Sequence, residues 1–496
     1  MTGESEYERS GPTESRNTGN LGNCVVTIAV RVETEPTAGS DAVSTRTEPI
    51  PTHSGPRHVQ VGIVTDALAV TGGRVLTPEL DVVDADVLVD VDAGEILDVA
   101  PDLAAAADET LNADGGLVIP GLVNAHCHVA MTLLRGYADD EPLETWLRDH
   151  VWPVEGELTA EDVRVGAELG LVEMIRSGVT AFGDMYFQVD EVADAVERAG
   201  VRARLGHGVV TVGKGEAAAR EDLDESFAVA ERLDGAADGR IRTAVMPHSL
   251  TTVDDDLLAA AADRARDAGV PIHLHLNETS GEVDPVVDEH GVRPSEHADD
   301  LGLLGPDTWV AHGVHTDATE LDLLAERGTA VVHCPASNMK LASGMAPVQA
   351  MLDAGVPVAL GTDGAASNND LDVFDELRDA AMLGKLAADD AAAVSAESAF
   401  RMATEGGADA LGVDAGRIEA GANADLAVVD LEAAHLTPEH DLLSHLVYAA
   451  RGSDVRHTVC DGEVLMRDRD VRAFDEAAVR ERAQEHAEAV VARAEE

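Results

Sequence analysis

The sequence predicts an α/β protein: a (β/α)8, TIM-like barrel carrying a small β-sandwich domain assembled from both ends of the chain. Three observations point there. Eight short apolar runs in the middle each end in a polar residue and lead into an Ala/Asp/Glu/Leu-rich helical stretch. Strand-like text flanks that middle on both sides. The 496 residues, 45% of them apolar, suffice for a large buried core and exclude wholesale disorder.

Residues 1–60 are rich in Ser, Thr, Glu, Pro and Gly and show little periodicity. They read as disordered, or as an extension from a start codon assigned too early. From Ile63 the text turns strand-like, in IVTDALAVTGGRVL, DVLVDV and GEILDVAP, with Gly and Asp turns between. The texture returns in Gly416–Asp430 and Val455–Met466, so residues 61–117 and 416–470 are expected to form one composite β domain. Residues 118–415 then hold the barrel. Its eight runs are Leu117–His128, Gly178–Asp184, Val201–Gly208, Arg242–Ser249, Val270–Glu278, Thr308–His315, Thr329–Asn338 and Val356–Asp363. Residues 471–496, with Ala, Glu and Arg at helical spacing, read as a terminal helix.

Charge narrows the function. Lys and Arg number 35 against 94 Asp and Glu, a formal charge of −59. Nucleic acid and anionic membrane are disfavoured as partners, because both are bound through Lys and Arg. No stretch reaches the roughly 20 apolar residues of a membrane span. The best N-terminal run, Cys24–Val32, has no cationic segment before it, so a cytoplasmic protein is expected. Only three lysines occur (Lys214, Lys340, Lys385), and the acidic charge is spread over the whole chain, as in salt-in halophilic archaea. Folding and activity are therefore expected to rise with KCl into the molar range, where the Debye length falls to about 3 Å. Equal stability and activity at about 50 mM salt would remove the halophilic reading. The four cysteines (Cys24, Cys127, Cys334, Cys460) form no C-x-x-C pair, so neither a disulfide framework nor a Cys-based zinc site is indicated.

In a (β/α)8 barrel the C-terminal ends of the strands form the active face. His126, His128, Asp184, His207, His248, His275, His312 and Asp363 all fall near strand ends. His126 and His128 are i and i+2, which on a strand puts both on one face. An isolated H-x-H is a weak signal, but His275 and Asp363 end two further strands. Three imidazoles, one carboxylate and an open position for water suit Zn²⁺ or Fe²⁺. His273 reads as a packed or hydrogen-bonded histidine beneath this group.

PGLVNAHCH, MTLLRGYADD, HLHLNET and GTDGAASNN resemble the amidohydrolase superfamily, and within it the 5′-methylthioadenosine/S-adenosylhomocysteine deaminase branch. The resemblance runs from about Ile63 to Met466. It implies that His126, His128, His275 and Asp363 hold one divalent ion per subunit, Zn²⁺ or alternatively Fe²⁺. It makes Glu278 the acid that protonates a ring nitrogen and His312 the group that orients the attacking water. His248 and Glu155 match substrate-contacting positions, the latter within VWPVEGELT, and Trp146 falls in a stretch that covers the pocket. Binuclear relatives carry a bridging lysine on the fourth strand; Arg242–Ser249 has none, so a mononuclear site is implied. Where the bacterial pattern has an arginine after strand three, near the amino-acid end of the substrate, this chain has His207. A second such arginine aligns with Arg220.

The implied reaction is hydrolytic deamination of a 5′-modified adenosine: 5′-methylthioadenosine, S-adenosylhomocysteine, 5′-deoxyadenosine or adenosine. A metal lowers the pKa of water toward about 7, Asp363 takes the proton as water attacks the amine-bearing carbon, and Glu278 protonates the ring. Deamination or dechlorination of another azine ring, such as guanine or a triazine, is the enzymatic alternative. A noncatalytic purine- or metal-binding barrel is the alternative from another class. The partner is a small nucleoside, with a homo-oligomer as the expected assembly.

Overall fold

A computed structural model describes residues 66–496. The expectation of disorder for residues 1–60 and Cys24 both lie outside the described residues. The architecture is the expected barrel with a small β-sandwich, and the chain enters the barrel from the sandwich.

The sandwich has two sheets. One carries Glu95–Ala100, Asp86–Asp90, Ala67–Thr71 and Glu109–Asn112, in that order. The other runs Asp470–Val471, Glu463–Arg467, Val455–Cys460, Leu426–Asp430, Gly116–Pro120, Arg74–Leu76 and Val82–Asp84. In its middle the two chain ends meet: Leu426 pairs with Pro120 and Asp430 with Gly116, antiparallel. Leu68, Val87, Val89, Leu111, Val118, Leu426 and Val428 form a dry core. Alternation supplies it, as in Asp86–Asp90, where Val87 and Val89 are buried and their neighbours are not.

The single run expected over Leu117–His128 is two strands. Gly116–Pro120 belongs to the sandwich, and Leu122–Cys127 is the first barrel strand. The break is at Gly121, whose amide donates to the Asp425 carbonyl while that of Leu122 donates to Gly178. A side chain at 121 would meet Thr180 Oγ1 at 2.2 Å, so only glycine lets the chain change sheets this close to the second strand.

The other barrel strands are Val179–Tyr186, Arg202–Val209, a fourth in two pieces (Ile241–Thr243 and Met246–Pro247), Ile272–Leu276, Thr308–His312, Ala330–His333 and Val358–Leu360. Neighbours pair in parallel. Bridges from Val245 to Ile272 and from Ser249 to His275 join the fourth to the fifth. The Asp363 amide donates to the His126 carbonyl at 3.0 Å, which brings the eighth strand's end against the first. These strands are buried along their length, as parallel strands under helices must be.

The helix Ala160–Arg176 begins at a capping box between Thr159 and Asp162. The terminal helix, Glu476–Ala494, buries Val479, Ala483 and Val490. It docks on Ala160–Arg176 through His486 and Arg493, which both reach the buried Asp162 carboxylate. Among the described residues no helix is long and apolar enough to cross a membrane.

Candidate active site

Four donors converge where the first, fifth and eighth strands end. His126 Nε2 and His128 Nε2 lie 3.5 and 3.3 Å from Asp363 Oδ1, and His128 Nε2 lies 3.3 Å from His275 Nε2. Each imidazole is held from behind. His128 Nδ1 donates to the Met185 carbonyl at 2.6 Å and His275 Nδ1 to that of His248 at 2.8 Å. His273 Nδ1 donates to the Trp309 carbonyl, so its Nε2 accepts from His126 Nδ1 at 2.8 Å.

These partners fix the tautomers. With every Nδ1 acting as donor, all three Nε2 atoms present lone pairs to one point. His128 and His275 then face each other lone pair to lone pair unless a proton or an ion sits between them. His126 Nε2 is buried with no hydrogen-bond partner. An ion bound at about 2.0–2.1 Å in tetrahedral geometry needs donors about 3.3 Å apart, and the contacts above match that spacing. His126, His128 and His275 are also within ligating distance of one another as a set. The donor set therefore fits a metal ion.

The carboxylate is equally constrained. Ser337 Oγ and Ser367 Oγ both donate to Asp363 Oδ2, at 2.7 and 2.6 Å, leaving Oδ1 for the histidines. Burial opposes its charge, but His126 and His128 outweigh burial and hold it well below the usual carboxylate range. The same carboxylate overcomes burial at His128 and lifts that imidazole to about 9, so the point favours positive charge.

Glu278 lies just past the fifth strand, with its Oε2 3.8 Å from His312 Nε2. Burial pushes its carboxyl above the ordinary range. His312 Nδ1 donates to Asn338 Oδ1 at 3.0 Å, which turns Nε2 toward Glu278. His312 and Asp363 have φ of 77° and 60°, and Asn277 has 57°, left-handed conformations unusual for such residues. Strain of this kind, about 1–3 kcal/mol each, persists where the surroundings enforce it.

Above the group opens a cavity of about 530 Å³. His248, Glu155, Trp146 and His207 line it, together with His128, His275, Glu278, His312 and Asp363. Trp146 is buried, its indole donating to the Ala138 carbonyl at 3.0 Å. His248 Nδ1 meets Thr252 Oγ1 at 2.9 Å. Burial raises the Glu155 carboxyl, with Tyr186 beside it.

Arg220 is not brought to this cavity. It sits in the helix Glu216–Leu233, is largely exposed, and pairs with Glu216 one turn away at 3.3 Å. The substrate contact expected of Arg220 is therefore not brought together with the other site residues here, its guanidinium being turned to its own acidic neighbour on the helix. Lys214 lines the cavity instead and pairs with Asp222, whose other oxygen is 3.7 Å from His207 Nε2. Tyr186, whose buried hydroxyl lies beside Glu155, is the other residue the sequence did not single out. The polar strand-end pattern ending at Asp184 stopped two residues short of it.

The amidohydrolase family profile matches residues 117–465. A 5-methylthioadenosine/S-adenosylhomocysteine deaminase of Natronomonas pharaonis is 68% identical, over 86% of this chain and 99% of the relative. A 5′-deoxyadenosine deaminase of Methanosarcina mazei is 47% identical, over 81% of this chain and 93% of the relative. Among solved structures, a zinc-bound adenosine deaminase from Xanthomonas campestris superposes with a TM-score of 0.81 at 38% identity, over 86% of this chain and 98% of that one.

Proposed function

The chain belongs to the amidohydrolase family, and from that premise we propose that it deaminates 5′-modified adenosines, chiefly 5′-methylthioadenosine and S-adenosylhomocysteine. It is a hydrolase acting on C–N bonds, and water replaces the ring amine to give the inosine analogue and ammonia. The observation that supports the reading is that Glu278 and His312, 3.8 Å apart, line one cavity with His128, His275 and Asp363 of the four-donor set. An ammonia-release screen across adenosine derivatives, guanine and triazines tests it. Release from guanine or a triazine alone would overturn the adenosine assignment.

Zn²⁺ is the ion we assign to His126, His128, His275 and Asp363, supported by their spacing and by the zinc in the related adenosine deaminase. When bound, it supplies Lewis acidity and a nucleophilic water near neutral pH. Asp363 Oδ1 accepts the proton released as water attacks the amine-bearing carbon. Glu278, which burial inclines to hold a proton, donates it to the adjacent ring nitrogen. His312, anchored by Asn338, orients the water. Ammonia then leaves the tetrahedral carbon.

Glu155 and Tyr186 are suited to the sugar hydroxyls, and Trp146 to covering the base. The 5′ group is placed toward His207 and Lys214. Among the described residues no arginine lines the cavity, and Lys214 is its single Lys or Arg. A charge-assisted hydrogen bond contributes about 1.5–3 kcal/mol. Lys214→Ala is therefore expected to lower kcat/KM for S-adenosylhomocysteine by about tenfold or more and for methylthioadenosine by less than about threefold. Arg220→Ala should change neither. Steady-state kinetics on both substrates check this, and an equal loss on the two would show that Lys214 does not meet the amino-acid end. Cytoplasmic residence in a salt-accumulating cell is the setting we assign, on the strength of the charge.

A further inference from the structure

Outside the barrel's cavity three helices bring Asp255, His290 and His297 together, and we propose that they form a second divalent-cation site, selective for an imidazole-binding ion such as Zn²⁺ or Co²⁺. Asp255 opens the helix Asp255–Ala268, His290 closes Ser280–His290, and His297 lies in Pro294–Asp300. One donor atom from each lies within 4.8 Å of the others. Asp255 Oδ1 is 3.1 Å from His297 Nε2, and Oδ2 is 3.8 Å from His290 Nδ1.

These separations bracket the roughly 3.3 Å expected around a tetrahedral ion with bonds of about 2.0–2.1 Å. The longer one is beyond hydrogen-bond range. No hydrogen bond among the described residues uses the His290 ring, so its nitrogen is directed at the carboxylate without being satisfied by it. The two imidazoles stack face to face, with centroids 3.8 Å apart and planes 21° from parallel. Two imidazoles and a carboxylate are a donor set for borderline transition ions rather than Mg²⁺ or Ca²⁺, which take oxygen ligands. His297 is nearly buried while Asp255 and His290 reach solvent, which leaves room for water to complete the coordination.

The site would staple the start of one helix to the end of another. The stapled helix Ser280–His290 begins two residues past Glu278, and its Glu282 carboxylate accepts the Glu278 amide at 2.8 Å. The ion is thus structural, and no step of the deamination uses it.

The test is equilibrium dialysis of the enzyme, with its resident metal already bound, against Zn²⁺. Wild type should take up one more Zn²⁺ per chain than the double variant His290→Gln/His297→Gln. Each single variant should bind the extra ion at least about tenfold more weakly. Deaminase activity retained in the variants shows that the fold and the first centre are intact, and the partly exposed His290→Gln carries the test if the double variant fails to fold. Zinc uptake equal in wild type and His290→Gln would overturn the proposal, leaving an Asp–His ion pair only. The result is independent of which substrate the enzyme takes.

Discussion

Glu278→Gln is expected to lower kcat by about two to four orders of magnitude while substrate still binds and metal is retained. Gln keeps the shape and part of the hydrogen bonding but cannot cycle a proton. The size of the effect follows from position: the carboxyl lines the cavity, is largely withdrawn from solvent and raised by burial, and lies 3.8 Å from His312. Single-turnover kinetics with a bound-substrate measurement separate the two parameters. Near-normal kcat on the best substrate would remove the proton-transfer role, and His312 would then be the group to examine.

The second large effect concerns the ion. His126→Ala or Asp363→Ala should abolish measurable turnover and lose the tightly held metal, because each removes one of four donors whose neighbours are already aimed at it. Metal analysis after dialysis should find about one ion per chain at this centre. The fourth barrel strand has no lysine to bridge a second. Two ions retained in His290→Gln/His297→Gln enzyme would contradict that argument.

Much of this was legible in the sequence, for a physical reason. Strand periodicity and helical text fix where βα units begin and end, so residues at the polar ends of eight runs had to meet on one face. His126, His128, His275 and Asp363 could thus be grouped without coordinates. What periodicity does not carry is path. Gly121 interrupts an unbroken apolar run because of a contact with Thr180, a residue far along the chain. Arg220 aligns with a substrate-contacting arginine and lies instead on a helix, turned to Glu216. Lys214 and Tyr186 enter the cavity through the course of their segments, not through any spacing. The carbonyl acceptors that set each tautomer, at Met185, His248 and Trp309, are main-chain atoms and have no side-chain signature at all.

The pairing of Gly116–Pro120 with Leu426–Asp430 has a consequence for biosynthesis. A ribosome delivers the chain from its N-terminus, and domains form as their parts emerge. Here the sandwich cannot close until nearly the whole polypeptide has been made, since the partner of its central strand comes after the last barrel strand. Until then the core shared by Val118 and Val428 lacks Leu426, Val428 and Val459, which come from the late strands. Nascent chains stalled before residue 426 should therefore be protease-sensitive across residues 67–120, and those released after Met466 resistant. The enzyme's assembly is gated by its own last strands.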